Sequence, residues 1–282
     1  MFQTIIDLLN RAAEANNADK FRQGNLLCLP RAGSLVISGD LHGHRRNFEK
    51  IVAFADLENN PDRHVILQEI IHGGEEDIQG GCLSYRLLFD VVRYKLDFDD
   101  RVHIVMGNHA TAFITDGEVL KNGKEMNRAM RSAIEREFKD NSYEIMTAMK
   151  QYLLSMPLAA RCDTRIWISH SLPADRLADK FDRGIFDRPL DAEDLEKPGS
   201  AYLLTWGRNH SQPLLDKMAE LFDVDLFVLG HQAQPQGWSQ AGKNLIIIAS
   251  DHNHGCLMHI DLNKSYTIKQ LIDCIVPLAS IA

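Results

Sequence analysis

The sequence lacks the features that define several large classes of protein. It has five cysteines, an odd number with no CxxC pair, so a disulfide framework is not expected and reduced thiols in a cytoplasm are the simpler interpretation. Its 31 Lys and Arg residues are outnumbered by 39 Asp and Glu residues, and the formal charge of −8 argues against a polybasic nucleic-acid or membrane-surface binder. No apolar run approaches the roughly 18–20 residues that a membrane span needs. These absences predict a cytoplasmic globular protein with no membrane or nucleic-acid partner.

Strand-like and helix-like segments alternate along the chain. The N-terminal stretch has no basic region before its apolar residues and is interrupted by Asp7, which predicts an amphipathic helix and not a signal peptide. Short β-branched runs predict strands at Leu35–Ser38, Val65–Ile71, Val102–Met106, Arg165–Ser169, Leu226–Leu229 and Leu245–Ala249. Helical spacing predicts helices at Asn47–Ala55, Leu83–Leu96, Met126–Phe138, Tyr143–Leu154 and Leu214–Phe222. Cys256–Asp261 and Thr267–Cys274 have the pattern of a closing hairpin.

This alternation predicts a layered α/β protein. Because the last strands have no helix between them, part of the sheet is expected to be mixed or antiparallel. No linker, repeat or low-complexity segment divides the chain, so a single domain over residues 1–282 is expected. Residues of about 110–155 would form a helical elaboration, and residues of about 173–200 a loop or flap.

The chain is rich in one titratable residue, with 12 histidines, and many of them follow predicted strands. Ligands bind at the carboxyl ends of strands in open α/β sheets, so these residues would converge on one edge. A single histidine at a strand end is usually structural, but acidic, amide and imidazole side chains follow strand after strand. This donor set suits Mn, Fe, Zn or Co without any thiolate, and it exceeds what one ion needs. Two ions can clamp the attacking and leaving oxygens of a phosphoryl displacement.

The order of these motifs resembles that of the calcineurin-like metallophosphoesterases, in particular the phosphoprotein phosphatases and the bacterial diadenosine tetraphosphatases. The motifs that carry the resemblance are Gly39-Asp40-Leu41-His42-Gly43, Gly107-Asn108-His109, Ser169-His170 and Gly230-His231. The resemblance implies a four-layer α-β-β-α sandwich of mixed β-sheets flanked by helices, with two divalent metal ions at one edge. Manganese is the expected metal, with iron or zinc as alternatives.

The resemblance also implies a role for each matching residue. Asp40 and His42 correspond to ligands of the first metal, and Asn108, His170 and His231 to ligands of the second. His109 corresponds to a histidine that protonates the leaving oxygen. Arg208, in Trp206-Gly207-Arg208, corresponds to an arginine that binds phosphate through its planar fork.

The second motif departs from the family pattern Gly-Asp-x-x-Asp-Arg-Gly, whose first Asp bridges the metals. Aligning the strand places Glu69 at the bridging position, His72 at the second Asp and Gly73 at the Arg. An alternative alignment places Glu76 at the bridge. His72 is then a candidate for an additional ligand or for a partner of His109. Since the motif's arginine is missing, Arg45, Arg46 and Arg86 are candidates to replace it.

The polar turn after the sixth predicted strand supplies further candidates for metal or substrate contacts, namely Asp251, His252 and His254. The resemblance as a whole implies a dinuclear metal-dependent phosphoesterase that hydrolyses a phosphomonoester by attack of a metal-bound hydroxide. The substrate would be a phosphorylated protein or a small molecule. A dinucleoside polyphosphate hydrolase and a catalytically impaired metal-binding scaffold on the same fold are the alternatives. The sequence leaves the oligomeric state open.

Overall fold

The computed structural model describes residues 2–121 and 123–281. Its helices are α1 Phe2–Ala18, α2 Arg45–Ala55, α3 Ser84–Phe98, α4 Asn108–Ile114, α5 Met126–Phe138, α6 Ser142–Leu154, α7 Ala192–Leu195, α8 Ser200–Trp206, α9 Gln212–Phe222 and α10 Ile268–Ile272. Its strands are β1 Arg22–Gln23, β2 Leu26–Leu29, β3 Ser34–Asp40, β4 Arg63–Gln68, β5 Val102–Val105, β6 Leu120–Lys121, β7 Lys124–Glu125, β8 Ala159–Cys162, β9 Ile166–Ser169, β10 Leu226–Leu229, β11 Trp238–Ala241, β12 Leu245–Ile248, β13 Cys256–Asp261 and β14 Ile275–Pro277. Of these helices, none is long and apolar enough to span a bilayer.

The strands form two large mixed sheets. One has the order β14-β13-β3-β4-β5. In this sheet β3, β4 and β5 are parallel to each other, β13 is antiparallel to β3, and β14 is antiparallel to β13. The other has the order β1-β2-β8-β9-β10-β12-β11, in which β9, β10 and β12 are parallel. The short strands β6 and β7 pair only with each other, as a hairpin. A parallel bridge between Asp40, at the end of β3, and Ala249, just after β12, shows that these strands of the two sheets run in a common direction.

The alternation of side chains along each strand builds the layers. Ile37 and Ile66 of one sheet share a buried cluster with Ile168 and Val228 of the other. Alternate residues of the same strands join a second cluster that includes the helices on the outer faces. Because successive strand residues point to opposite faces and both faces are buried, these strands are apolar throughout. The predicted four-layer sandwich of mixed sheets and flanking helices is confirmed.

Two segments differ from their predicted secondary structure. The strand predicted to reach Ile71 ends at Gln68, because Glu69 adopts a left-handed backbone with φ 41°. Thr267–Cys274 is not the second arm of a hairpin. Thr267 and Gln270 form a capping box that begins α10, and the strand that pairs with β13 is the later β14.

The region of about 110–155 contains α5 and α6 as expected, together with the β6–β7 hairpin, which the sequence patterns did not predict. The region of about 173–200 consists of two 3₁₀ turns and the short helix α7. Ile185 and Phe186 of this region are buried, and the Phe186 ring packs edge-on against Trp167. The assignment of the whole chain to one domain stays a prediction.

A buried ionic network lies near the amino-terminal end of β5. The Asp19 carboxylate is 3.3 Å from Lys95 Nζ and 2.9 Å from His103 Nδ1, and all three side chains are almost fully buried. His64 Nδ1 lies 3.3 Å from His103 Nε2. Burial opposes the ionisation of Asp19, but the contacts with His103 and Lys95 outweigh it and lower its pKa to about 2. The Asp19 carboxylate is therefore ionised, and it is the acidic partner of the buried Lys95 and His103 side chains.

Replacing Asp19 with Asn is expected to lower the free energy of unfolding by about 3–5 kcal/mol, because it leaves Lys95 buried without a counter-ion. Urea denaturation measures this change. The matched control is Asp100→Asn, which breaks the exposed pair of Asp100 with Lys20 (2.7 Å) and should cost less than about 1 kcal/mol. Equal losses in the two variants would contradict the structural role of Asp19.

Acid is expected to weaken the fold through His64. Burial, with the neighbouring His103, lowers the pKa of His64 to about 4 from its ordinary value of 6.5. Between these values the unfolded chain binds a proton that the folded chain does not, so the free energy of unfolding falls as the pH drops from 6.5 to 4, by on the order of 3 kcal/mol. His64→Gln should make this dependence shallower in urea denaturation across that range. An unchanged slope would show that His64 does not contribute to it.

Candidate metal centre

The two sheets meet at the carboxyl ends of their parallel strands, where Asp40 joins them. Asp40 is the last residue of β3, and its main chain pairs with Ala249, just after β12 of the other sheet. The backbone N–H of His231, just after β10, donates to Asp40 Oδ1 at 3.0 Å. This junction brings the polar residues of both sheets to one edge, as the sequence predicts.

Four residues at this edge have left-handed backbone. His42, Glu69, His72 and His231 have positive φ values of 42°, 41°, 67° and 65°. Residues other than glycine rarely adopt this left-handed region, and such strain persists where the surrounding structure imposes it. The four residues come from three separate motifs, so left-handed backbone occurs in each of the motifs that supply these side chains to the edge.

Three donor atoms form the tightest cluster. Asn108 Oδ1 lies 2.8 Å from His170 Nε2 and 3.1 Å from His231 Nδ1, and the two nitrogens are 3.1 Å apart. Ligands about 2.1 Å from one ion and at right angles to each other are about 3 Å apart, so these spacings match a shared cation. Burial lowers the pKa of His170 to about 4, which keeps the ring neutral, and a neutral ring is the form that binds metals.

A second group of donors lies beside this cluster. His42 Nδ1 donates to the carbonyl oxygen of Ile71 at 3.1 Å, which turns Nε2 toward Asp40 Oδ2 at 3.5 Å. Asp40 Oδ1 is 3.4 Å from His170 Nδ1, and Glu69 Oε2 is 3.5 Å from His170 Nε2. Asp40 and Glu69 therefore both border the space between the two groups of donors.

The electrostatics of the two carboxylates differ. Burial, with the like charge of Asp40, raises the pKa of Glu69 to about 8. Burial also opposes the ionisation of Asp40, but His170, His42 and the N–H of His231 outweigh it and hold the pKa of Asp40 well below its usual range. Burial favours the protonated form of Glu69, whereas a cation bound beside it would favour the ionised form. Glu69 is therefore a carboxylate that a bound cation would stabilise.

The donor set fits divalent cations. Within residues 2–121 and 123–281, no group of three or more His, Cys, Asp or Glu side chains has the spacing of a preformed metal site. The third donor of the tightest cluster is the amide of Asn108, and the carboxylates lie slightly farther away. The ring nitrogens that face each other in the cluster are His170 Nε2 and His231 Nδ1, and Asn108 Oδ1 lies within 3.1 Å of both. A cation at this point would be held by two imidazole nitrogens and an amide oxygen, which is a donor set that borderline divalent ions accept.

Two further histidines, His109 and His72, pack beside these donors. The His109 ring lies 4.8 Å from that of His42 and 4.9 Å from that of His72, centroid to centroid. The backbone N–H of His109 also donates to Glu69 Oε2 at 3.0 Å. His109 borders the cavity of about 200 Å³ over the donors, whereas His72 lies behind it with both ring nitrogens buried and without partners.

The mouth of the cavity carries two cationic side chains, Arg208 and Lys121. Arg208 donates to the carbonyl oxygen of His231 at 3.1 Å. Lys121 Nζ is 3.6 Å from Asp251 Oδ2, and Asp251 also borders the cavity. Lys121 is the residue that sequence reasoning missed. It lies in the unpredicted hairpin, whose signal in the sequence is the Asn-Gly dipeptide at positions 122–123.

Several candidates lie elsewhere. Arg45 is paired with Asp90 and Arg86 with Glu137, while Arg46 borders a separate cavity, so none of the three occupies the place expected for a replacement of the motif's arginine. Glu76 is half-exposed and pairs with Lys124 at 2.7 Å. His252 bonds to the carbonyl oxygen of Gln234 at 2.9 Å, His254 is exposed, and neither borders the cavity.

Comparisons with known proteins identify the family of this chain. Residues 33–235 match the calcineurin-like phosphoesterase family, and the chain belongs to that family. A serine/threonine-protein phosphatase of Caenorhabditis elegans is 25% identical over 232 residues, 77% of this chain and 47% of the relative. The chain thus spans about half the length of this curated relative. Members of the family generally use divalent metals, and phosphoester hydrolysis is the class of reaction that the family supports.

Solved structures share the fold. A protein serine/threonine phosphatase of Saccharomyces cerevisiae superposes with a TM-score of 0.67 at 15% identity, covering 92% of this chain and 82% of that one. A cold-active protein-tyrosine phosphatase of a psychrophilic Shewanella species gives a TM-score of 0.57 at 15% identity, covering 84% and 77%. These likenesses confirm the predicted architecture.

Gly230→Ala is expected to weaken metal binding. A Cβ at position 230 would lie 2.3 Å from Asp40 Oδ1 and 3.0 Å from Gln68 Oε1, so the Asp40 carboxylate would have to move. Displacing a candidate ligand in this way should lower the affinity for Mn²⁺ about 10–100-fold in calorimetric titration. The control is Gly117→Ala, where the nearest atom is Thr115 Oγ1 at 3.3 Å. Unchanged affinity in folded Gly230→Ala protein would argue against Asp40 as a ligand.

Proposed function

We propose that this protein is a dinuclear metal-dependent phosphatase that hydrolyses a phosphomonoester. The observation that carries the proposal is the convergence of Asn108, His170 and His231 within 3.1 Å, with two buried carboxylates directly beside them. Asp40 and His42 would hold one ion and the amide–imidazole cluster the other. Glu69, which lies 3.5 Å from His170, would bridge them.

The chemistry of the donors supports manganese, with iron or zinc as alternatives. All of the candidate ligands offer oxygen or imidazole nitrogen, which suits borderline divalent ions, and none is a thiolate. When bound, two such ions supply a nucleophile from water at neutral pH and polarise the phosphoryl oxygens. The protein's own part is then to fix these donors, hold the phosphoryl group and move one proton.

The surroundings of His109 support a role in proton transfer. Its ring borders the cavity, and its backbone N–H is tied to the Glu69 carboxylate, so the position of the ring is coupled to that of the proposed bridging ligand. His72 supports the ring from behind at 4.9 Å between centroids. We propose that His109 protonates the leaving oxygen and that His72 positions it.

The substrate is proposed to be a phosphorylated protein or a small phosphomonoester. The names of the serine/threonine and tyrosine phosphatases that resemble the chain support a phosphomonoester. The open mouth beside Arg208 leaves room for a phosphoryl group, whose oxygens the guanidinium can hold in pairs. The altered second motif retains a carboxylate at the site in Glu69, and this supports an active enzyme over an impaired scaffold.

Two variants separate metal binding from proton transfer. His109→Ala is expected to retain both ions but to lower kcat for p-nitrophenyl phosphate about 10²–10⁴-fold, because it removes the proton donor alone. Asn108→Ala is expected to lose metal as well as activity. Metal content by mass spectrometry, together with kcat and KM, measures both effects. His259→Gln, on β13, is the control.

Undiminished hydrolysis by metal-loaded His109→Ala protein would remove that residue from the mechanism. Two bound ions with no turnover of monoesters, diesters or dinucleoside polyphosphates by the unaltered protein would instead support the scaffold alternative. Faster turnover of dinucleoside polyphosphates than of monoesters would change the substrate class and leave the site intact.

A further inference from the structure

The cavity over the proposed metal centre has a second source of positive charge, on a hairpin that stands apart from the two sheets. Strands β6 and β7 pair Leu120 with Glu125 and Lys121 with Lys124. The Lys121 side chain borders the same cavity as His109 and Arg208 and is about one-third exposed. Among the described residues that border it, Lys121 and Arg208 carry the permanent cationic groups.

The base of the hairpin is anchored on both sides. Glu125 accepts hydrogen bonds from the backbone N–H groups of Val119 and Asn127, at 3.1 and 3.0 Å, and so caps α5. Lys124 pairs with Glu76 at 2.7 Å. These contacts fix the hairpin against α5 and the loop after β4. The backbone of Lys121 is therefore held in a fixed position beside the cavity.

The partner of Lys121 is held only weakly. The 3.6 Å between its ammonium group and Asp251 exceeds the length of a hydrogen bond, and both side chains are partly exposed. An ion pair of this kind contributes little free energy, so an incoming dianion can replace the carboxylate.

We propose that Lys121 is a substrate-binding residue that holds the phosphoryl group opposite Arg208, and that Asp251 is its counter-ion when the site is free. The proposal rests on the proposed phosphatase function. The family motif would place an arginine where this chain has Gly73, and Arg45, Arg46 and Arg86 do not border the cavity. Lys121 supplies a cation to the same phosphate from a different part of the chain.

The test measures phosphate affinity and turnover separately in the metal-loaded full chain. Lys121→Met is expected to raise the Kd for inorganic phosphate, by calorimetry, and the KM for p-nitrophenyl phosphate about tenfold, the loss expected for one charge-assisted contact. Metal content should stay unchanged. Lys121→Arg should restore most of the affinity. Lys243→Met, which removes an exposed lysine that pairs with Asp216 at 2.9 Å and does not border the cavity, is the matched control and should bind phosphate normally.

A double-mutant cycle tests the counter-ion. Asp251→Asn should lower the Kd for phosphate several-fold at low ionic strength because it frees Lys121, and it should have no such effect in the Lys121→Met background. Normal phosphate affinity and KM in Lys121→Met protein that still turns over would overturn this inference and leave the proposed function standing. Metal-loaded protein that binds phosphate through Lys121 but hydrolyses no phosphoester would overturn the proposed function alone.

Discussion

Two sheets that share an apolar interior are joined at one edge by Asp40. Its carboxylate accepts the N–H of His231 from the far sheet, and its carbonyl oxygen accepts the N–H of Ser250. The residue that ends β3 thereby fixes the ends of β10 and β12. A side chain at position 230 would collide with the Asp40 carboxylate, since a Cβ there would lie 2.3 Å from Oδ1. Glycine at this position therefore allows the close contact between the carboxylate and the backbone after β10. The positions of the remaining donors follow from this junction, since each comes directly after a strand.

The molecule contains two buried polar networks, one around an ion pair and one at the carboxyl ends of the strands. At the amino-terminal end of β5, the Asp19 carboxylate has Lys95 and His103 as partners, and such a network stabilises the native packing. At the opposite edge, buried imidazole nitrogens of His109, His170 and His231 have no partner, and the backbone at His42 and Glu69 is strained. The apolar layers have to offset this cost. A fold retains strain and unpaired groups of this kind where they serve binding or chemistry.

Most of the fold and the proposed ligand set followed from the sequence because both depend on local patterns. Apolar runs gave the strands, and glycines beside Asp, Asn and His marked where the strands end. The role of Glu69 was harder to predict, because Glu76 and His72 offered competing alignments. Only the left-handed turn at Glu69, which ends β4 early, directs its carboxylate to His170 and leaves Glu76 with Lys124. A turn that tertiary contacts impose leaves no reliable trace in propensity.

The hairpin escaped prediction for a different reason. Each of its strands has two residues, too few for any periodic pattern, and it interrupts a region whose composition is helical. Yet it follows α4, which begins at Asn108, so the chain leaves the proposed metal centre through one short helix and then returns to border the same cavity at Lys121. The sheets hold the proposed metal ligands rigidly, while Lys121 stands on an appended element. In the proposed phosphatase, this arrangement would separate recognition of the phosphoryl group from the scaffold of the metal ligands. The chain lacks the arginine of the second motif, yet two cationic side chains border the same cavity.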